Sequence, residues 1–234
     1  MNNRLIEFKD LRFAWPGDSG SLFDCKTFLL DRDEHIFIRG PSGSGKSTLL
    51  NLIAAVLVPQ SGHLMLMNHD TRAIGPARRD QLRADHIGYI FQQFNLVPYL
   101  SLVENILLPC RFSRRRAAQA SVRFGSPERA AQHLLENLFD GDSLDPYRAV
   151  SELSVGQQQR VAAARALIGS PDIVIADEPT SSLDADARER FMNLLFTQVT
   201  AAASTLLFVS HDTSLSQRFM RSVDVTDFNP GSTA

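Results

Sequence analysis

Apolar residues fall along this chain in two rhythms, and the changes between them mark out its elements. Residues 4–15 alternate imperfectly (Leu5, Phe8, Leu11, Phe13, Trp15), which predicts an edge strand closed by Pro16-Gly17. Leu22 to Leu30 reads as its partner. Asp33, a residue tolerant of the left-handed turn conformation, then leads into a strand over 35–39. Helical spacing follows at Leu49, Leu50, Ile53, Val56 and Leu57, and Pro59-Gln60-Ser61-Gly62 stops it. His63 to Met67 reads as a strand ended by Asn68-His69-Asp70. Residues 77–85 read as a polar helix, and His86 to Phe91 as a strand with Gln92 at its exit.

From Gln92 to about Ser151 helical periodicity dominates, with arginines at 111, 114, 115, 116 and 123 and a break at Gly125-Ser-Pro127. The arginines read as a solvated helix face; contact with anionic lipid heads is the alternative, which their arrangement does not require. Ser154, with Gln157 three residues on, forms a capping box. It opens a helix that runs through Val161, Ala164, Leu167 and Ile168 and stops at Gly169, with Pro171 beyond. Ile173-Val-Ile-Ala176 is a continuous apolar run of the kind buried on both faces in a parallel sheet, and it delivers Asp177-Glu178. Residues 185–203 read as a helix. Thr205 to Val209 repeats the buried-strand pattern and delivers Ser210-His211-Asp212; a short helix near 213–221 and a strand at 223–228 follow. No regulatory domain is expected after that strand. The alternation predicts one α/β domain over 1–234, with a core from 1–91 and 152–234 and a helical subdomain, 92–151, inserted between the two.

The chemistry centres on Gly40-Pro41-Ser42-Gly43-Ser44-Gly45-Lys46-Ser47-Thr48, which fits G-x-x-x-x-G-K-[ST] residue for residue, with a strand before it and a helix after it. Glycines at 40, 43 and 45 let successive N–H groups turn inward on phosphates, and the following helix points its positive end at them. Lys46 is then expected to reach the β- and γ-phosphates, and the Ser47 hydroxyl to hold Mg²⁺. Asp177, at the carboxyl end of a buried strand, stands where such a sheet presents a ligand to Mg²⁺; Glu178 alternates to the other side, suited to deprotonate an attacking water. An N-cap cluster ahead of Pro179 is the competing account of that acidic pair.

Composition narrows the partners. Twenty-four Lys and Arg stand against 26 Asp and Glu, net charge −2, so no strong field draws in nucleic acid. Cys25 and Cys110 are far apart and outside any CxxC, which fits a reducing compartment better than a disulfide framework. The start lacks the apolar run of a signal peptide, and Leu49 to Val58 is too short to span a bilayer.

Five segments in order add a resemblance. Leu153-Ser-Val-Gly-Gln157 followed by Gln-Gln-Arg160 resembles the signature motif of ATP-binding-cassette (ABC) ATPases. Ile173 to Thr180 resembles their Walker B strand with its glutamate, and Ser181-Ser182-Leu183-Asp184 their D-loop. Gln92 resembles their Q-loop glutamine and His211 their switch histidine. The likeness runs from the start of the chain to about residue 228. It implies a P-loop core with a mixed, mainly parallel sheet, an antiparallel β subdomain and an inserted helical subdomain. It implies ATP and Mg²⁺ as ligands, with Gln92 and His211 near the γ-phosphate and Gln92 a further metal ligand. It also implies head-to-tail pairing of two copies, in which Ser154, Gly156 and Gln157 of one meet the nucleotide held by the other and Asp184 lies near the crossing. Family members often carry an aromatic stacked on adenine near the end of the first strand. Trp15 is the choice here, and Phe13, of the same parity, is its rival. Val155 departs from the usual first glycine of the signature, which bears on turnover, and Ser182 is a milder variation.

Tyr89 to Pro98, Glu104-Asn105-Ile106 and Gln157 to Val161 resemble the lipoprotein-releasing, macrolide-export and cell-division cassettes (LolD, MacB, FtsE). That likeness implies an ATPase peripheral on the cytoplasmic face of the inner membrane, driving a permease contacted through Phe94 to Pro109. Two other readings stay open: a soluble ABC ATPase acting on DNA or ribosomes, and an ATP-dependent clamp that does not hydrolyse.

Overall fold

A computed structural model describes residues 3–17, 20–139 and 145–229. They form two compact units, one from the chain up to Arg83 and again from Thr205, the other over Ala84–Ser204. In the first unit β1 (Arg4–Phe13) pairs antiparallel with β2 (Phe23–Asp31), Phe8 facing Phe28. The spacing from Phe8 to Leu11 that spoils the alternation has a cause. Asp10 is left-handed (φ 47°), and the register against the strand after α1 shifts between Lys9 and Arg12, so a bulge sits there. Gly62 is its counterpart, since a Cβ on it would lie 2.0 Å from the Asp10 carbonyl oxygen.

β3 (Ile36–Arg39) follows Asp33, which is left-handed (φ 64°) as its type predicts and donates its N–H to Thr205 Oγ1 at 2.9 Å. Then comes α1 (Lys46–Ile53), shorter than the spacing through Leu57 predicts. Ala55 turns left-handed (φ 54°), and Asn51 O accepts from both Val56 and Leu57, a closed C-terminus that leaves Val56 exposed. β4 (Ser61–Leu66) pairs with β1 and with β5 (His69–Asp70), which sequence patterning missed. The hairpin turns on Met67 and Asn68, both left-handed (φ 49° and 63°), and methionine is a poor advertisement for such a turn. The antiparallel sheet is ordered β2-β1-β4-β5, so β1 is an inner strand paired on both sides and not the edge strand its alternation predicts. α2 (Pro76–His86) then carries the chain into the second unit.

The second unit holds a parallel pair and the helices. β6 (Ile87–Ile90) leads to α3 (Leu102–Phe112), α4 (Arg114–Phe124) and α5 (Pro127–Phe139); the predicted helical stretch also spans residues 140–144, outside those described. α6 (Val155–Leu167) begins at the Ser154 capping box, as expected. β7 (Ile173–Asp177) is buried over Ile173 to Ala176 and lies parallel to β6, and α7 (Ala185–Ala201) buries Phe191, Leu195 and Val199 at four-residue spacing. Gly88 is required where β6 meets α6: a Cβ there would be 2.1 Å from Ala166 O.

The arginines of α4 are not one solvated face. Arg114 and Arg123 are exposed, but Arg116 is buried, its Nε donating to Ile168 O at 2.7 Å and its Nη2 to Ala166 O at 2.6 Å. The guanidinium thus sits on the last carbonyls of α6, where a cation is favoured, and burial pulls its pKa down to about 10. Arg115 pairs with the buried carboxylate of Asp172 at 2.9 Å, which His86 Nδ1 also meets at 2.7 Å.

Returning to the first unit, β8 (Thr205–Val209) and β9 (Arg221–Asp224) flank β3 in parallel. The last strand begins and ends earlier than its predicted span of 223–228. Asp224 caps a 3₁₀ turn, Val225–Phe228, through a capping box with Asp227, and Phe228 packs against Phe8, Phe23 and Phe28.

Candidate active site

Candidate site residues stand at strand exits in two groups, one in each unit. In the first, β3 and β8 run parallel, with Ile38 beside Val209, so the loop after one and His211 after the other leave from the same edge. Gly43 and Gly45 are left-handed (φ 79° and 96°), and Phe23 would lie 2.9 Å from a Cβ on Gly45. Gly40 is equally confined, with Ser44 Oγ 2.6 Å from the position of its absent Cβ. Lys46 Nζ bridges the loop, donating to Gly40 O at 2.7 Å and Pro41 O at 3.0 Å. Thr48, within α1, is buried, whereas Pro41, Ser42 and Ser47 are exposed.

This loop fits phosphate. α1 starts without a side-chain cap and without an acidic residue in its first turn, so its N–H groups and positive end face the loop. Among the described residues, the buried Ser44 Oγ has no hydrogen-bond partner; a bound oxyanion would give it one. Trp15 is 43 % exposed, Phe13 is 5 % exposed, and their rings meet edge-on at 5.4 Å. Only the indole offers a face of any size to a ligand.

In the second group β6 and β7 pair with Ile90 beside Ala176, so Gln92 and the Asp177-Glu178 pair leave from one edge. Gln92 is exposed. Glu178 is 9 % exposed and left-handed (φ 47°), a bend that turns the chain immediately after the strand, where its carbonyl accepts from Ser181 N at 3.2 Å. The Tyr89 hydroxyl bonds to the Asp177 carboxylate; burial and then that negative charge push its pKa well above the usual phenol value. Sequence reasoning missed Tyr89 as a partner of Asp177, because the register that sets Ile90 beside Ala176 is decided by strand pairing and not by local pattern.

Ser154 begins α6 with its hydroxyl accepting from Gln157 N at 3.3 Å and its N–H donating to Gln157 Oε1 at 3.0 Å. Ser154 and Val155 are exposed, and a Cβ on Gly156 would meet nothing within 4 Å, so this helix end is open. Asp184 Oδ1 accepts from Ala187 N at 2.7 Å, capping α7. Two further α6 residues have partners that the sequence reading did not give. Gln159 Nε2 donates to Pro179 O at 2.7 Å, and Arg165 Nη1 and Nη2 donate to Asn95 O and Phe94 O at 2.7 and 2.5 Å. An arginine four residues after Val161, on the apolar stripe of that helix, was the sign available.

Among the described residues no group of three or more His, Cys, Asp or Glu gathers as a metal site. The Ser47 hydroxyl in the first unit is nonetheless a hard oxygen donor of the kind that Mg²⁺ takes, and so is the Asp177 carboxylate in the second. The cysteines stand apart from this chemistry: burial pushes the Cys25 thiol up to about 11 and raises that of Cys110.

Comparison with known proteins now decides the family. The model of the ABC transporter family matches residues 24–181. The chain belongs to that family. As an ABC cassette it shares the family's ATP binding and hydrolysis. It is 40 % identical over 194 residues to the lipoprotein-releasing system ATP-binding protein LolD of Anaeromyxobacter dehalogenans, covering 83 % of this chain and 78 % of that one. It is 38 % identical over 219 residues to an uncharacterized ABC transporter ATP-binding protein, MJ0796, of Methanocaldococcus jannaschii, covering 91 % and 89 %. Against the macrolide export ATP-binding/permease protein MacB of a Shewanella strain it is 35 % identical over 198 residues, 85 % of this chain but 29 % of that protein. A dimeric, post-hydrolysis structure of the MJ0796 cassette bound to ADP and Pi superposes with TM-score 0.79 at 32 % identity, covering 94 % of each chain. The fold is therefore that of the ABC ATPases. No helix among the described residues is long and apolar enough to cross a membrane.

Proposed function

We propose that this cassette is the ATP-hydrolysing subunit of a transporter complex, closing head to tail with a second copy around two ATP molecules to drive a membrane permease. The phosphate loop is the observation that carries the reading, with its left-handed glycines, its uncapped helix end and the unpartnered Ser44 hydroxyl. Backbone N–H groups over Ser42 to Thr48 bind the phosphates, Lys46 holds their terminal oxygens, and Trp15 stacks on adenine. Ser47, Gln92 and Asp177 would hold Mg²⁺, which when bound neutralises charge on the phosphate oxygens. Glu178 accepts the proton of the attacking water while His211 and Gln92 orient the terminal phosphate and that water. The hydrolysis product pair is ADP and phosphate, the pair named in the related dimer.

The open N-terminus of α6 supports the paired arrangement. Ser154, Gly156 and Gln157 present a second anion-binding end, suited to the γ-phosphate held by the other copy, with Asp184 at the crossing. The chain works as one cassette, residues 92–151 forming its helical subdomain. The permease docks on Phe94 to Pro109, where Tyr99 is 82 % exposed, and so holds the cassette on the cytoplasmic face of the inner membrane. The relatives named for lipoprotein release and macrolide export support a role in export or release by mechanical transmission.

The test is Glu178→Gln. It removes the base and keeps every binding group, so phosphate release should stop while ATP shifts the protein to a dimer on size exclusion. A variant that stays monomeric in saturating ATP refutes the head-to-tail model. Wild-type protein that binds ATP but releases no phosphate, alone or with a permease, is a clamp.

A further inference from the structure

Within three residues of Gln92 the chain turns left-handed twice, at Phe94 (φ 59°) and Asn95 (φ 48°). Asparagine tolerates that region; a phenylalanine held there needs an external reason. Arg165 supplies it. Two consecutive residues of one helical sense turn their carbonyls to the same side, and the guanidinium fork meets both, Nη2 on Phe94 O at 2.5 Å and Nη1 on Asn95 O at 2.7 Å. Arg165 and Phe94 are both buried, and burial lowers the arginine's pKa, so these carbonyls serve the cation in place of water.

The clamp stands in a wider frame. Immediately downstream the fully buried Asn105 fixes the same segment, accepting from Val97 N at 2.8 Å and donating to the carbonyls of Val97, Leu100 and Ser101 at 3.0–3.3 Å. Arg165 rides on α6, whose first residues follow Ser154 and whose Gln159 holds the carbonyl of Pro179, next to Glu178. Arg116 closes the far end of that helix. One rigid helix thus touches the backbone beyond Gln92, the turn after Glu178 and the open end at Ser154.

We propose that Arg165 is a positioning residue that locks the Gln92 segment to α6. Displacement of that segment, when Gln92 engages nucleotide in its own copy, is then carried to the Ser154 end offered to the other copy. The proposal rests on the ATPase reading above for what each end binds. A lysine keeps the charge but presents its donors from one atom on a flexible stem, so it does not fix the plane of two carbonyls as the rigid guanidinium fork does.

The experiment uses the full chain with Arg165→Lys, Asn95→Val and Asn95→Gly. Asn95 is exposed, so its replacements leave the core intact. A β-branched residue resists φ 48°, whereas glycine adopts it freely. Amide exchange by mass spectrometry is read over 92–101 and 154–160 with and without ATP, beside the Kd of a fluorescent ATP analogue and kcat for phosphate release. In wild type and Asn95→Gly both segments should respond to ATP together. In Arg165→Lys and Asn95→Val only 92–101 should respond, with Kd within about twofold and kcat at least tenfold lower. The proposal is overturned if both segments still respond together in Arg165→Lys or Asn95→Val, or if Kd weakens in proportion to kcat. Should Arg165→Lys fail to fold, the Asn95 pair decides alone. Wild-type protein that releases no phosphate removes the hydrolase reading and leaves the exchange comparison to judge the coupling.

Discussion

Ser210 donates its backbone N–H to the carbonyl of Ile38 at 3.2 Å, one hydrogen bond beyond the last paired residues of β3 and β8. That bond keeps the two strand ends together, so the residue after Ser210 leaves at the edge where the phosphate loop begins. His211 is placed by backbone pairing and not by a long loop. His211→Ala should therefore lower phosphate release by about 10²-fold, the ordinary effect of losing a positioned acid–base group, with nucleotide affinity little changed. Steady-state turnover beside equilibrium nucleotide binding checks it; a parallel loss of affinity would mean the histidine holds the loop.

Trp15 and Phe13 meet edge-on, yet one is exposed and the other buried, and that separates their roles. Trp15→Ala should weaken ATP binding about tenfold, a loss near 1.4 kcal/mol, with no change in melting temperature. Phe13→Ala should instead cost about 3–5 kcal/mol of stability, because it empties a core position. Denaturant unfolding and nucleotide titration of both variants make the comparison.

The Leu206 N–H donates to His35 Nδ1 at 3.1 Å, so that nitrogen must be unprotonated and the ring neutral. Burial lowers the histidine's pKa, and nearby Asp33 opposes the shift only in part. A depressed folded-state pKa means that the unfolded chain takes the proton first. The contribution is complete above the unfolded value of about 6.5 and is lost as pH falls below it. Melting temperature should drop between about pH 6.5 and 5, and His35→Asn, which keeps an acceptor near the Nδ1 position, should flatten that part of the profile.

Gly88 has no room for a methyl group, since the obstacle 2.1 Å away is backbone of α6. Gly88→Ala should destabilise by about 1–3 kcal/mol, the usual range for an overpacked site, and should lower phosphate release as β6 and α6 move apart. Chemical denaturation gives the first number and a phosphate assay the second.

Much of the candidate site is legible in the sequence, because its residues obey local rules. A phosphate loop must be glycine-rich and must open a helix. A capping box has fixed spacing, so Ser154 and Gln157 announced the start of α6, and four apolar residues running into Asp177-Glu178 announced a buried strand with its carboxylates at the exit. The end of α1 at Ile53 and the hairpin at Met67-Asn68 escaped for a local reason: each depends on a non-glycine residue with positive φ, which composition does not advertise.

The sequence alone determined the strand–loop–helix order, the glycine-rich loop ahead of α1 and the two carboxylates at the exit of a buried strand, since each is a matter of residue type at short spacing. Tertiary structure alone decided which arginines face water, that Tyr89 holds Asp177, and that Arg165 grips Phe94 and Asn95 across 70 residues of chain. Helical spacing can set an arginine on a buried stripe, as it does Arg165, but it does not name the groups that will meet it. The arginine's fate depends on which carbonyl groups the fold brings against it, and those lie on elements that no local pattern connects.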